Sequence, residues 1–264
     1  MTLEQRHELL ERVKLRARHI LNMSHAFFKH FSYHDLNHGE AVDSFIVELY
    51  NYIDLTLSEY CLLRIAAYLH DTGMAVDPLI WQELKIGRSY ILKDILERKR
   101  GDMEKFFDKH AEFFKSGYLE LPEELAKKYP YNLNYREEDK LVDVIRKLHP
   151  WIGAKYVYRV KEIEREARTL ISDLIRFHSS KLDLTRKFGE IELWERPVNL
   201  AKCIAILRLA DALDCTKDRA GSEIYEDVIK FVFYKSFSQL KHWVFKHYIE
   251  EVKIREGECV LVVN

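Results

Sequence analysis

The chain has 264 residues, with 42 Lys and Arg against 43 Asp and Glu, 47% hydrophobic and 32% charged. That balance fits a soluble globular protein of one large domain or two small ones and argues against a dedicated nucleic-acid binder. With 9 Gly and 5 Pro the sequence is poor in breakers, which favours long helices over a many-turned β fold.

Residues 3–30 carry Leu9, Leu10, Val13, Leu15, Ile20, Leu21, Phe27 and Phe28 near helical period, predicting one or two helices. His7, His19, His25 and His30 share no spacing there and read as surface or core. A polar stretch, Phe31-Ser-Tyr-His-Asp-Leu-Asn-His38, precedes a helix marked by Val42, Phe45, Ile46, Leu49 and Tyr50. Asp35 or Asn37 is its expected cap, with His38 in the first turn. His34 lies four residues earlier, in reach of the same face if the helix starts early. The next helix spans 58–72, with Ser58 as its expected N-cap and Glu59 in its first turn. It ends in the apolar run Ile65-Ala-Ala-Tyr-Leu-His70-Asp71-Thr-Gly73. Taken alone, that ending reads as a helix C-terminus with Gly73 at C′. An imidazole and a carboxylate closing a buried helix also need partners, and one metal ion would satisfy both.

Residues 77–140 change texture and read as a helical insertion or lid, aromatic-rich and broken by Pro122 and Pro130. A helix over 137–148 then meets His149-Pro150, where Pro150 suits the first position of a new helix running to about Glu166. A further helix ends in Leu174-Ile-Arg-Phe-His178, repeating the His70 pattern. Pro197 is the expected start of the helix Val198–Cys215, which is apolar nearly all round and therefore central to the core. Arg208 and Asp211 sit inside it. They read either as an i, i+3 ion pair or with Asp211 as a metal ligand backed by Arg208 or Asp214. After Gly221 the class changes. Phe237 to Tyr248 suggests a short helix, and Glu251–Val263 alternates as a β-hairpin turning at Gly257. The chain stops inside the second strand of that hairpin, which suggests a fragment of a longer protein or an edge completed by a partner.

The cysteines Cys61, Cys203, Cys215 and Cys259 are scattered without a CxxC, so no disulfide framework or zinc knuckle is expected. No apolar run approaches membrane-spanning length, and no signal segment opens the chain, so the expected compartment is a reducing cytoplasm.

In chain order the chemistry-bearing residues are His38, His70-Asp71, His149, His178 and Asp211. This set resembles the HD superfamily of metal-dependent phosphohydrolases, whose pattern is His, then His-Asp, then a distant Asp. The added His149-Pro150 and His178 match its binuclear members. The strings Leu-Ile-Arg-Phe-His178 and Arg208-Leu-Ala-Asp-Ala-Leu-Asp214 are similar to the C-terminal HD-like region of exopolyphosphatase/guanosine pentaphosphatase proteins. The resemblance covers about residues 30–220, less the insertion. It implies a mainly α fold: an HD-type helical bundle over 1–225 and a small C-terminal α+β element over 226–264. It implies His38, His70, Asp71, His149, His178 and Asp211 as metal ligands, with Asp71 bridging two ions. His70, Asp71, Lys155 and Arg208 are the catalytic candidates, and Arg219 is a further cation for phosphate.

The mixed N/O donor set suits Mn, Fe, Co, Ni or Zn, with Mg also admitted, better than Ca. The expected substrate is a small phosphorylated compound, most naturally a nucleotide, whose phosphate ester is hydrolysed by metal-activated water. The chain lacks the Gly-Tyr-Pro signature of cyclic-di-GMP phosphodiesterases, which disfavours that substrate. A non-catalytic metal-binding nucleotide-sensing or interaction module is the alternative, suggested by the truncated-looking hairpin and the exopolyphosphatase resemblance, followed by a di-iron oxygenase, since the superfamily also includes di-iron oxygenases with the same ligands. A homo-oligomer is a further expectation.

Overall fold

A computed structural model describes residues 3–21, 35–75, 138–179, 191–216, 246–255 and 258–263. The 77–140 segment therefore lies outside the described residues apart from its last three positions. So do His25, His30, His34, Arg219, Gly257 and most of Phe237–Tyr248. The described residues are mainly helical, with a C-terminal two-stranded antiparallel sheet, and no described helix is long and apolar enough to cross a membrane.

Helix α1 (Leu3–Leu21) buries Leu9, Leu10, Val13, Ala17 and Leu21, a stripe at helical spacing. Helix α2 (Leu36–Leu49) starts where the Asp35 carboxylate accepts from the His38 backbone N–H at 3.2 Å. Helix α3 (Leu57–Leu69) is almost wholly buried and packs against α1, α2 and two later helices. Its cap is Thr56 rather than Ser58. Thr56 and Glu59 form a reciprocal capping box, while Ser58 is buried and donates to the Leu193 carbonyl at 2.8 Å. Glu59 also accepts from the Asn199 N–H at 2.8 Å and from the Lys202 ammonium at 2.8 Å. One buried carboxylate thereby ties the start of α3 to the start of a distant helix.

A 3₁₀ turn, Thr72–Met74, follows α3. Helix α4 (Glu138–Val157) runs unbroken through Pro150, so the expected helix start there does not occur. Proline removes one intrahelical hydrogen bond, yet α4 packs against the 3₁₀ turn and the next helix at this level, and that packing outweighs the local rule. The chain leaves α4 at Val157, before the expected Glu166, and restarts as α5 (Arg165–Phe177).

A hairpin precedes the last long helix: β1 (Ile191–Leu193) pairs antiparallel with β2 (Arg196–Val198). Pro197 is therefore a strand residue. Helix α6 (Leu200–Leu213) is capped instead by the Asn199 side chain, which accepts from the Lys202 N–H at 3.0 Å. The C-terminal hairpin falls where the alternation predicts it, as β3 (Ile249–Arg255) and β4 (Glu258–Val263) with a register shift between Ile249 and Glu251. Ile249, Val252 and Ile254 join the hydrophobic core.

Helices α2 and α3, which deliver His38 and His70, are joined by a polar clamp. The Arg64 guanidinium donates to both oxygens of buried Asp43 at 2.7 and 2.8 Å, and the Tyr68 hydroxyl donates to the same carboxylate at 3.0 Å. The bond to Asp43 pushes the Arg64 pKa up, and burial pushes the Tyr68 phenol up. Asp43→Ala leaves both donors facing a cavity. Arg64 keeps some solvent contact, so the expected loss is about 3 kcal/mol, the lower end for breaking a buried pair, and urea unfolding reads it directly.

Candidate metal centre

His38, His70, Asp71, His178 and Asp211 are delivered by the end of an element or by its first or last turn, whereas His149 comes from the interior of α4. His38 occupies the first turn of α2, where the Asp35 cap fixes its backbone. His70 closes α3, with Nδ1 donating to the Ala67 carbonyl at 2.8 Å. His178 closes α5 in the same way, with Nδ1 donating to the Ile175 carbonyl at 2.6 Å. A ring whose Nδ1–H is held by its own helix turns a bare Nε2 outward, the tautomer a metal requires. Asp71 sits between α3 and the 3₁₀ turn.

Gly73 brings α4 into reach. A Cβ there would lie 1.9 Å from the His149 carbonyl oxygen and 2.6 Å from the Gly153 nitrogen. Gly73 is therefore demanded by close backbone approach in the 3₁₀ turn, and not by a left-handed C′ cap.

The structure brings His38, His70, Asp71, His149, His178 and Asp211 together, with ligand atoms in overlapping groups of three within 4.8 Å. His38, His70, Asp71, His149 and His178 are buried, whereas Asp211 is half-buried, its side chain 28% exposed. The Asp71 carboxylate divides the cluster. Its Oδ2 lies 3.2 Å from His38 Nε2 and 3.3 Å from His70 Nε2. Its Oδ1 lies 3.4 Å from His149 Nε2 and 3.9 Å from His178 Nε2. Asp211 Oδ1 stands 3.3 Å from His38 Nε2 and 3.9 Å from His70 Nε2. Ligands bound at about 2.1 Å are about 3.0 Å apart along an octahedral edge and about 3.4 Å along a tetrahedral one, which the four distances of 3.2–3.4 Å match and the two of 3.9 Å exceed.

The nitrogen pairs supply an independent fit. His38 and His70 Nε2 are 3.0 Å apart, and His149 and His178 Nε2 are 3.1 Å apart. Two ring nitrogens at such distances repel unless a proton or a cation stands between them. Burial, aided by His149 and His70, pushes the His178 imidazolium down to about 3, so that ring is neutral near pH 7. Burial opposes the charge of Asp211, but its hydrogen bond with His38 and the neighbouring imidazoles prevail and hold the carboxyl well below the usual range. The cluster can therefore hold a divalent metal.

Other sequence candidates have different surroundings. Arg208 donates Nε and Nη2 to the Phe177 carbonyl at 3.1 and 2.7 Å, gripping the residue before His178. Lys155 lies half-buried in the last turn of α4, and burial pushes its ammonium pKa down. Asp214, read from the sequence only as one possible support for Asp211, contacts His38 instead: its Oδ2 lies 2.5 Å from Nδ1.

The sequence profile of the HD-CE family matches residues 28–261, a span that includes every residue of the cluster and most of the C-terminal hairpin. No curated protein and no solved structure matches the chain. The exopolyphosphatase likeness is not confirmed by these comparisons.

Proposed function

The chain belongs to the HD-CE family, and from that premise we propose that it is a metal-dependent phosphohydrolase acting on a nucleotide or related phosphorylated compound. One observation carries the reading: the two oxygens of Asp71 are divided between two imidazole pairs, the disposition of a carboxylate that bridges two ions. His38, His70 and Asp211 would complete one subsite, and His149 and His178 the other. A pair of divalent ions held there supplies Lewis acidity and lowers the pKa of water toward neutrality.

The residues themselves do the rest. The Nδ1 bonds of His70 and His178 fix the donor atoms before any ion arrives, so little reorganisation is required. Asp211, whose side chain is partly exposed, marks the side from which a phosphoryl group would approach. Lys155 is the proposed cation for its oxygens, while Arg208 holds the carbonyl end of α5 and with it His178.

The test loads metal-free protein with Mn, Fe, Co or Zn and offers nucleoside mono-, di- and triphosphates, cyclic nucleotides and an aryl phosphate. Turnover that chelator abolishes and His70→Ala removes is the expected result. Full metal occupancy with bound nucleotide and no turnover would overturn hydrolysis in favour of a sensing role.

A further inference from the structure

The imidazoles of the cluster are not held alike. His70 and His178 give their Nδ1–H to neutral backbone carbonyls three residues back, at 2.8 and 2.6 Å. His38 Nδ1 instead meets a carboxylate, Asp214 Oδ2, at 2.5 Å, and both side chains are buried. The pair joins the first turn of α2 to the C-cap of α6, 176 residues apart in the chain. A carboxylate is a stronger acceptor than a carbonyl. It draws the Nδ1 proton toward itself and leaves Nε2 the better electron donor, while fixing the ring plane.

The carboxylates are also unevenly shared. His38 Nε2 faces Asp71 Oδ2 at 3.2 Å and Asp211 Oδ1 at 3.3 Å, and His70 stands beside it. The opposite side combines His149 and His178 with the other Asp71 oxygen, at 3.4 and 3.9 Å. Two carboxylates at 3.2 and 3.3 Å and a strengthened imidazole attract a divalent cation more than one shared carboxylate, at 3.4 and 3.9 Å from its two imidazoles.

We propose that Asp214 is a positioning residue that makes the His38 side the tighter of two unequal divalent-ion subsites, so that the centre fills in order, His38 side first. This rests on the metal-centre reading above and adds to it the sequence of loading. A partly loaded population would then carry its ion between His38, His70, Asp71 and Asp211, and the His149–His178 side would fill only at higher metal concentration.

Calorimetric titration of metal-free full-length protein with Co(II) tests the proposal without reference to turnover. Wild type is expected to show two steps separated by at least about tenfold in affinity. Asp214→Ala should weaken the tighter step by about 10–100-fold and leave the weaker one in place. Asp214→Asn, which keeps an oxygen acceptor for Nδ1–H, should fall between the two. Circular dichroism confirms that the variants fold, and if the alanine variant does not, the asparagine variant decides. In ¹⁵N-labelled protein the His38 imidazole shifts should move toward those of a carbonyl-held ring in the asparagine variant and away from the wild-type values in the alanine variant. Two equal steps in wild type would overturn the proposal, as would a tighter step unchanged in a folded variant. A wild-type chain that takes up no Co(II) at all would overturn the metal centre, and the proposal with it.

Discussion

Asp71→Asn is expected to fold, to retain at most one of the two proposed ions, and to lower the proposed phosphohydrolase turnover by at least about 10³-fold. The magnitude follows from its position. Asp71 Oδ2 faces His38 and His70, and Oδ1 faces His149 and His178, so one side chain serves both halves of the cluster. The amide preserves the volume but removes the charge from both subsites and replaces one oxygen with a donor nitrogen. The imidazole pairs, 3.0 and 3.1 Å apart, then lose the anion that favours a cation between them. Metal analysis after dialysis, together with steady-state hydrolysis, reads both effects. Two ions retained with wild-type turnover would contradict the bridging role.

Gly73→Ala should be nearly as damaging, although the residue touches no ligand atom with a side chain. The added Cβ would lie 1.9 Å from the His149 carbonyl oxygen, 2.6 Å from the Gly153 nitrogen and 2.7 Å from the His149 carbonyl carbon. All three are backbone atoms of one helix and cannot rotate away. Either α4 shifts outward, carrying His149 from Asp71, or the fold gives way. Inserting a methyl group into a packed core costs about 1–3 kcal/mol, and a clash with helix backbone falls at or above the top of that range. Urea unfolding should show the loss. Where the variant still folds, metal stoichiometry should fall because the His149–His178 side has opened. Wild-type stability and stoichiometry together would show that the turn and α4 are less tightly apposed than described.

The parts of this architecture legible in the sequence are those with a local physical cause. An apolar helix that finishes in His marks both His70 and His178, and Asp35 before His38 announces the start of α2. The alternation over 251–263 yields the C-terminal hairpin. What the sequence hides is decided by distant contacts. Trp194 and Glu195 turn the β1–β2 hairpin with φ of 52° and 61°, a conformation usually signalled by Asn or Gly. Here the strain is offset by tertiary contacts: Trp194 Nε1 donates to Glu164 at 3.0 Å, and the Arg6 guanidinium lies 5.5 Å from the ring centroid. Pro150 suggests a helix start because its neighbours in the chain are all that a sequence reading sees, whereas packing keeps α4 continuous through it. Asp214 reads in the sequence as one possible support for Asp211, and only the fold sets it against His38. Gly73 looks like a helix terminator until α4 arrives.

The central claim is that residues from five separate segments hold two ions on either side of one carboxylate. Anomalous diffraction from crystals of the Mn(II)-loaded protein tests it most directly. The expected result is two peaks about 3.5–4 Å apart. One should lie by Asp71 Oδ2 among His38, His70 and Asp211, the other by Oδ1 among His149 and His178. A map with no peak inside this cluster, from protein that has bound manganese, would contradict it.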